Sequence, residues 1–151
     1  MKNRTYRYMK AKPLYPFGFG LSYTKFRYGG MKLSAKKVKK GKGLIAEATV
    51  TNTGKIAGEE VVQLYITDDK ASFRVPRWSL KGFKRVALRP GTSKIVKFTV
   101  TPAMMAQIDE RGEAVIEPGS FTVRIGGSSP GKRSEELGAP EMSVGSFRVV
   151  P

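Results

Sequence analysis

The sequence contains no cysteine and no histidine. The first absence removes disulfides, thiolate metal sites and thiol nucleophiles, although it does not fix the redox compartment. The second removes the commonest general base and the commonest zinc ligand. Acidic residues are also scarce: 12 Asp and Glu stand against 28 Lys and Arg, a net charge of +16, and none occurs before Glu47. No run approaches the ~20 apolar residues that cross a bilayer, and no apolar stretch follows the basic N-terminus as in a signal peptide. The reading is of a soluble chain without a membrane partner, its start resembling a piece of a longer protein and its compartment undetermined. No cofactor is implied.

What is present fits one folded domain. At 151 residues with 40% hydrophobic content, roughly 68–70% of the unfolded surface can be buried, and the composition lies far from that of disordered chains. From residue 43 onward the pattern alternates with period two, the signature of half-buried strands. Leu44, Ala46, Ala48 and Val50 share one face. Val62, Leu64 and Ile66 share another, opposite Val61, Gln63, Tyr65 and Thr67. Val96, Phe98 and Val100, and then Phe121, Val123 and Ile125, repeat the plan. Weaker strands are read at Phe26 to Leu33, where Gly29-Gly30 permits a bulge, at Leu80 to Leu88 and at Ser146 to Val150.

Arg89-Pro90-Gly91-Thr92 and Glu117-Pro118-Gly119-Ser120 each set Pro then Gly at the centre of a type II turn. Only Pro102 to Gln107 reads as a helical turn, with proline suited to its first position. The spacing predicts an all-β, immunoglobulin-like (fibronectin type III-like) sandwich of about seven strands. Its expected extent is residues 26–151, preceded by a linker or docking segment at 1–25.

Two clusters stand out as candidates for binding. Lys36, Lys37, Lys39, Lys40 and Lys42 form a dense cationic run suited to nucleic acid, acidic glycan or another polyanion, or else a solvated loop between strands. Aromatics, among them Tyr15, Phe17, Phe19 and Tyr23, interleave with basic residues through the first 28 positions, as in single-strand nucleic-acid binders; alternatively they pack on a neighbouring surface. The stretch Lys70 to Ser79 carries Phe73, Arg74, Arg77 and the sole tryptophan, Trp78. Trp78 on an exposed loop would stack on a sugar; otherwise it caps the sandwich edge or packs against the N-terminal segment.

Other motifs fail on inspection. Gly18-Phe19-Gly20 has Tyr23 where a dinucleotide loop needs its third glycine. Gly126-Gly127-Ser128-Ser129 lacks the Gly-Lys-Ser/Thr sequence and following helix of a phosphate cradle and reads as a post-strand turn. Asn3-Arg4-Thr5 fits the glycosylation sequon, which carries little without a secretory context. The acids Glu59, Glu60, Asp68, Asp69 and Asp109 fall at expected turns or strand ends and read as surface groups.

The run Pro13-Leu14-Tyr15-Pro16-Phe17-Gly18-Phe19-Gly20-Leu21-Ser22-Tyr23-Thr24-Lys25-Phe26 resembles the segment leading into the C-terminal fibronectin type III-like domain of glycoside hydrolase family 3, the β-glucosidases and β-xylosidases. The resemblance continues through Val50-Thr51-Asn52-Thr53-Gly54, Gly58-Glu59-Glu60-Val61-Val62-Gln63-Leu64-Tyr65, Leu80 to Val86, Arg89-Pro90-Gly91, Glu117-Pro118-Gly119 and Gly126 to Ser129. It implies a non-catalytic module that stabilises or positions a retaining β-glycosidase acting on terminal β-linked sugars, often periplasmic or secreted. The two catalytic carboxylates of such an enzyme, ~5–5.5 Å apart, would lie in upstream domains, so no residue here inherits them. Those domains would be the partner of residues 4–23, unless the exposed aromatics associate with a second copy or fold back over the sandwich. Trp78 departs from the family, where polar residues are usual. Two rivals of different class are a free-standing polyanion-binding module and a neutral carbohydrate-binding module centred on Trp78.

Overall fold

The computed structural model describes residues 5–151; Asn3 and Arg4 of the sequon lie outside the described residues. A one-turn helix α1 (Thr5–Tyr8) opens the described chain, and an extended segment leads to the first strand, β1 (Phe26–Leu33). There follow β2 (Lys37–Lys39), β3 (Leu44–Asn52), β4 (Gly58–Asp68), β5 (Ser79–Leu88), β6 (Ser93–Val100), helix α2 (Pro102–Met105), β7 (Gln107–Ile108), β8 (Ala114–Val115), β9 (Gly119–Gly126), helix α3 (Lys132–Glu136) and β10 (Ser143–Val150). One sheet has the order β1-β3-β6 and the other β2-β10-β9-β4-β5, while β7 and β8 pair as a small hairpin. The chain changes sheets between β1 and β2, so that β2 runs parallel to β10 while the other pairings are antiparallel.

The period-two pattern supplies the core. Ala46, Ala48 and Val50 of β3, Val62, Leu64 and Ile66 of β4, Val96, Phe98 and Val100 of β6, and Phe121, Val123 and Ile125 of β9 are buried between the sheets. Phe121 stacks on Phe147 of β10 at a centroid distance of 5.5 Å. Fully burying each of the Val, Leu, Ile and Phe side chains among them is worth ~1.5–3 kcal/mol, which is why register is firmly set: a one-residue slip would turn every one of them to water.

Several expectations need correction. Among the described residues the two principal sheets hold eight strands, the seven read from the sequence and the short β2. The lysine run is not a loop: Lys37–Lys39 is an edge strand with Val38 buried between outward lysines. At Arg89-Pro90-Gly91-Thr92 the turn forms as expected, with Gly91 at φ +70° and the Thr92 amide donating to the Arg89 carbonyl at 3.1 Å. Gly119, in contrast, is absent from the positive-φ glycines and begins β9, paired with Val149, so the type II geometry expected there does not occur. A short helix, α3, does follow Gly126 to Ser129; its five residues begin only after Gly131. The bulge expected at Gly29-Gly30 is present, with a register shift between Gly29 and Lys32 and Gly30 at φ +63°.

Candidate functional site

The outward face of β4 should be polar and wet by its alternation, yet Gln63 and Tyr65 are buried. The cover comes from the N-terminal segment. Tyr65 donates its hydroxyl to Gln63 Oε1 at 2.6 Å, and Gln63 Nε2 donates to the Gly127 carbonyl at 2.7 Å and the Gly18 carbonyl at 3.4 Å. The Ser129 amide donates to the Phe17 carbonyl at 2.8 Å. Tyr6 stacks on Phe17 at 4.4 Å and meets Tyr65 edge-on at 6.5 Å. Burial pushes the Tyr65 phenol pKa upward, and the neighbouring Tyr6 adds to the effect.

Gly18 is needed twice over: its φ of +75° lies in the left-handed region, and a Cβ there would sit 2.5 Å from Gln63 Oε1. The segment is fastened along its length. The Arg77 amide donates to the Arg7 carbonyl at 2.9 Å, Arg77 Nη1 to the Met9 carbonyl at 3.1 Å, and the Leu80 amide to Tyr6 Oη at 3.4 Å. Arg133 of α3 donates twice to the Leu14 carbonyl, each at 3.2 Å, and Lys12 pairs with Glu136.

The far end is tied to Asn52, which is fully buried and satisfies all its side-chain capacity. Its Nδ2 donates to the Ile56 and Leu88 carbonyls at 2.9 and 3.0 Å, and its Oδ1 accepts from Thr24 Oγ1 at 2.7 Å and the Gly54 amide at 3.0 Å. Gly54 and Gly58 have no room for a Cβ against Thr24. The motifs that carried the resemblance therefore converge in space: the Phe17-Gly18 run, the Asn52 turn, the Gln63 strand and the Gly127-Ser129 turn are the parts of one docking seam.

The loop candidates are drawn into the same seam. Arg74 lies over the Tyr8 ring at 5.2 Å, and Arg77 over Trp78 at 4.5 Å. Trp78 is half-buried rather than exposed; its ring packs where Gly131 leaves space, and its Nε1 is buried with no partner among the described residues. A guanidinium lies over one face of the ring and an edge approaches Gly131. Phe73 is half-buried. Of the segment's aromatics, Tyr15 and Phe19 stack at 6.3 Å, and Leu14, Tyr15, Leu21 and Tyr23 face outward, 75, 65, 94 and 99% exposed. Phe83 of β5, the cross-strand neighbour of Gln63, is exposed as well.

Two acids expected at the surface are not there. Glu60 points inward and accepts from Tyr28 Oη at 2.8 Å; burial raises its carboxyl pKa and outweighs the opposing hydrogen bond, and burial together with Glu60 raises the Tyr28 phenol. Asp68 is buried, accepting from the Lys70 amide at 3.2 Å, and its pKa is likewise raised by desolvation. Asp69 accepts from Thr122 Oγ1 at 2.9 Å.

The lysines lie elsewhere. Lys36, Lys37, Lys39, Lys40 and Lys42 are all exposed along the β2 edge, away from the seam. Sequence reasoning missed Gln63, Asn52 and Glu60 as positioning residues. For Gln63 the signal was available, since a polar residue between Val62 and Leu64 inside a motif asks for a buried partner; Asn52, between Thr51 and Thr53, and Glu60, between Glu59 and Val61, carry no such signal.

Residues 60–129 match the model of the fibronectin type III-like domain family. A β-xylosidase of Formosa agariphila is 44% identical over 92% of this chain and 19% of its own length, and a β-glucosidase of Bacteroides ovatus is 41% identical over 83% and 17%. Among solved structures, a β-glucosidase from Erythrobacter marinus superposes with a TM-score of 0.81 at 34% identity, covering 97% of this chain and 18% of that one. The chain thus spans about a fifth of the length of the relatives it matches, and so high a coverage of this chain takes in nearly all of the N-terminal segment as well as the sandwich. The chain belongs to the fibronectin type III-like domains that form part of family 3 β-xylosidases and β-glucosidases.

Proposed function

We propose that this chain is a non-catalytic module that packs against, stabilises and positions the catalytic domains of a family 3 β-glycosidase acting on terminal β-linked sugars. One observation carries the reading. The N-terminal segment is fixed to the sandwich through its backbone and its inward side chains, while Leu14, Tyr15, Leu21 and Tyr23 are left to solvent. Apolar side chains held outward on an otherwise well-anchored segment mark a surface made for a protein partner. The matched enzymes, of which the match covers 19% and 17%, supply the class of that partner. Glu60, hydrogen-bonded to Tyr28, serves the sandwich itself.

The test adds the purified chain in trans to the Formosa agariphila β-xylosidase from which the matching part has been deleted. Co-elution on gel filtration and a longer half-life of xylosidase activity on heating are expected, with no hydrolysis of nitrophenyl β-glycosides by the chain alone. A chain that elutes separately and leaves the truncated enzyme's half-life unchanged would refute the accessory role.

A further inference from the structure

The cationic edge lies on a surface with its own construction. In the sheet order β2-β10-β9-β4-β5, β2 and β5 are opposite edges, about 19 Å apart at ~4.8 Å per strand. The seam and exposed Phe83 sit toward the β4-β5 side, and the lysines occupy the other. Register places Lys37 beside Arg148 and Lys39 beside Val150, with Arg148 opposite Ser120 and Ser146 opposite Thr122. Lys37, Lys39, Arg148, Ser146 and Ser120 are exposed, and Thr122 is half-buried. Main-chain bonds hold the basic strand extended: the Arg148 amide donates to the Lys36 carbonyl at 2.9 Å and the Lys40 amide to the Val150 carbonyl at 2.8 Å.

A depression of about 460 Å³ opens on this face, lined by Lys36, Asp69, Ser120, Thr122, Ser146 and Arg148 among others, within the ~300–1,000 Å³ range of small-ligand clefts. Among the described residues none of the five lysines nor Arg148 forms an ion pair.

We propose that the outer face of β2, β10 and β9 binds a segment of an acidic polysaccharide, the cations taking its carboxylate or sulfate groups and Ser120, Thr122, Ser146 and Asp69 taking its hydroxyls. The charge alone would suit any polyanion. The floor discriminates. It offers the Ser120 and Ser146 hydroxyls and the acceptor lone pairs of the hydrogen-bonded Thr122–Asp69 pair, groups that answer a polyhydroxylated ligand, whereas a DNA backbone brings the carboxylate no hydroxyl donor. Single-stranded nucleic acid is held by stacking on aromatic faces, and Phe147, the aromatic that lines the depression, is buried and stacked on Phe121. The site is independent of the accessory role, since it involves no residue of the docking seam.

Binding of the 151-residue chain is measured by isothermal titration with polygalacturonate and with dextran sulfate, using neutral xylan and poly(dT) as comparators. Acidic glycan binding is expected to weaken about tenfold or more between about 50 and about 200 mM salt, since displaced counterions drive it. The arm that binds tighter identifies the acid group. Replacing Lys37, Lys39 and Arg148 together by Gln should abolish binding at the higher salt, whereas Arg27→Gln with Lys97→Gln on the other sheet should leave it near wild type. Ser146→Ala, an exposed change that spares the fold, and Thr122→Val should weaken glycan binding without altering that of poly(dT). The proposal is overturned if neither acidic glycan binds at low salt, if poly(dT) binds as tightly as the glycans and all ligands ignore Ser146 and Thr122, or if neutralising the other sheet weakens binding equally. The lysines would then serve only to guard a sheet edge against strand addition.

Discussion

Asn52 does at the scale of one residue what the fold needs at one end of the sandwich, joining the entry to β1, the turn after β3 and the end of β5 through four hydrogen bonds. Removing its amide strands buried backbone groups, and each such group costs ~1–3 kcal/mol. Asn52→Ala should therefore destabilise the chain by about 3 kcal/mol, a fall in Tm of roughly 6–12 °C for a domain of this size, read by calorimetry. Asn52→Asp keeps the acceptor but sets a buried carboxylate oxygen against the Ile56 and Leu88 carbonyls, so its loss should be at least as large at neutral pH and should shrink in acid. Glu60 gives a pH signature of opposite origin. Because burial raises its carboxyl pKa above the ordinary value of about 4.5, the folded state holds the proton more tightly than the unfolded state. Stability contributed by this group is therefore full below that ordinary value and is lost as pH rises through the raised one. Glu60→Gln keeps an oxygen acceptor for Tyr28 and removes the titration. Its Tm should exceed wild type at pH 7 and converge with it in acid; a constant difference across the pH range would contradict the assignment.

At the scale of elements, the N-terminal segment behaves as an extra layer over the five-stranded sheet, and Gly18 is its pin. Gly18→Val meets both an unfavourable positive φ and the Gln63 amide, so the segment should lift and tryptic cleavage after Arg7 and Lys10 should accelerate, as followed by mass spectrometry. Gly20→Ala is the control: no atom lies within 4 Å of a Cβ at Gly20 and its φ is ordinary, so its digestion should match wild type. The core strands were legible because burial on one face imposes period two, and Leu44 to Val50 shows it without interruption. The layer was not legible. Gln63 and Tyr65 alternate like solvent-facing residues, and what buries them comes from 45 or more positions away in the chain. The β2 strand was hidden for another reason: three residues give one inward side chain, Val38, and the surrounding lysines set the local composition. Sequence left Trp78 with two readings, a stacking platform on an exposed loop or a cap on the sandwich edge, because its neighbours Gly131 and the Arg77 guanidinium carry no hydrophobic signal.

At the scale of the whole molecule, the two proposed surfaces separate along the five-stranded sheet, cations at the β2 edge and apolar side chains on the segment that crosses β4. A net charge of +16 costs the chain stability through self-repulsion, and the five lysines along the β2 edge lie away from the seam, where they do not oppose an apolar contact. The arrangement predicts a double dissociation. Leu21 and Tyr23 are almost wholly exposed, so Leu21→Ser with Tyr23→Ser should change the stability of the isolated chain by no more than about 0.5 kcal/mol. The same variant should lose co-elution with the truncated β-xylosidase and its effect on heat inactivation, while binding polygalacturonate or dextran sulfate as wild type does. The variant lacking Lys37, Lys39 and Arg148 should behave in reverse, rescuing the truncated enzyme and failing to hold the acidic glycan. If the serine variant still rescues the enzyme, the exposed apolar strip is not the contact; if it melts well below wild type, Leu21 and Tyr23 belong to the fold and not to a partner.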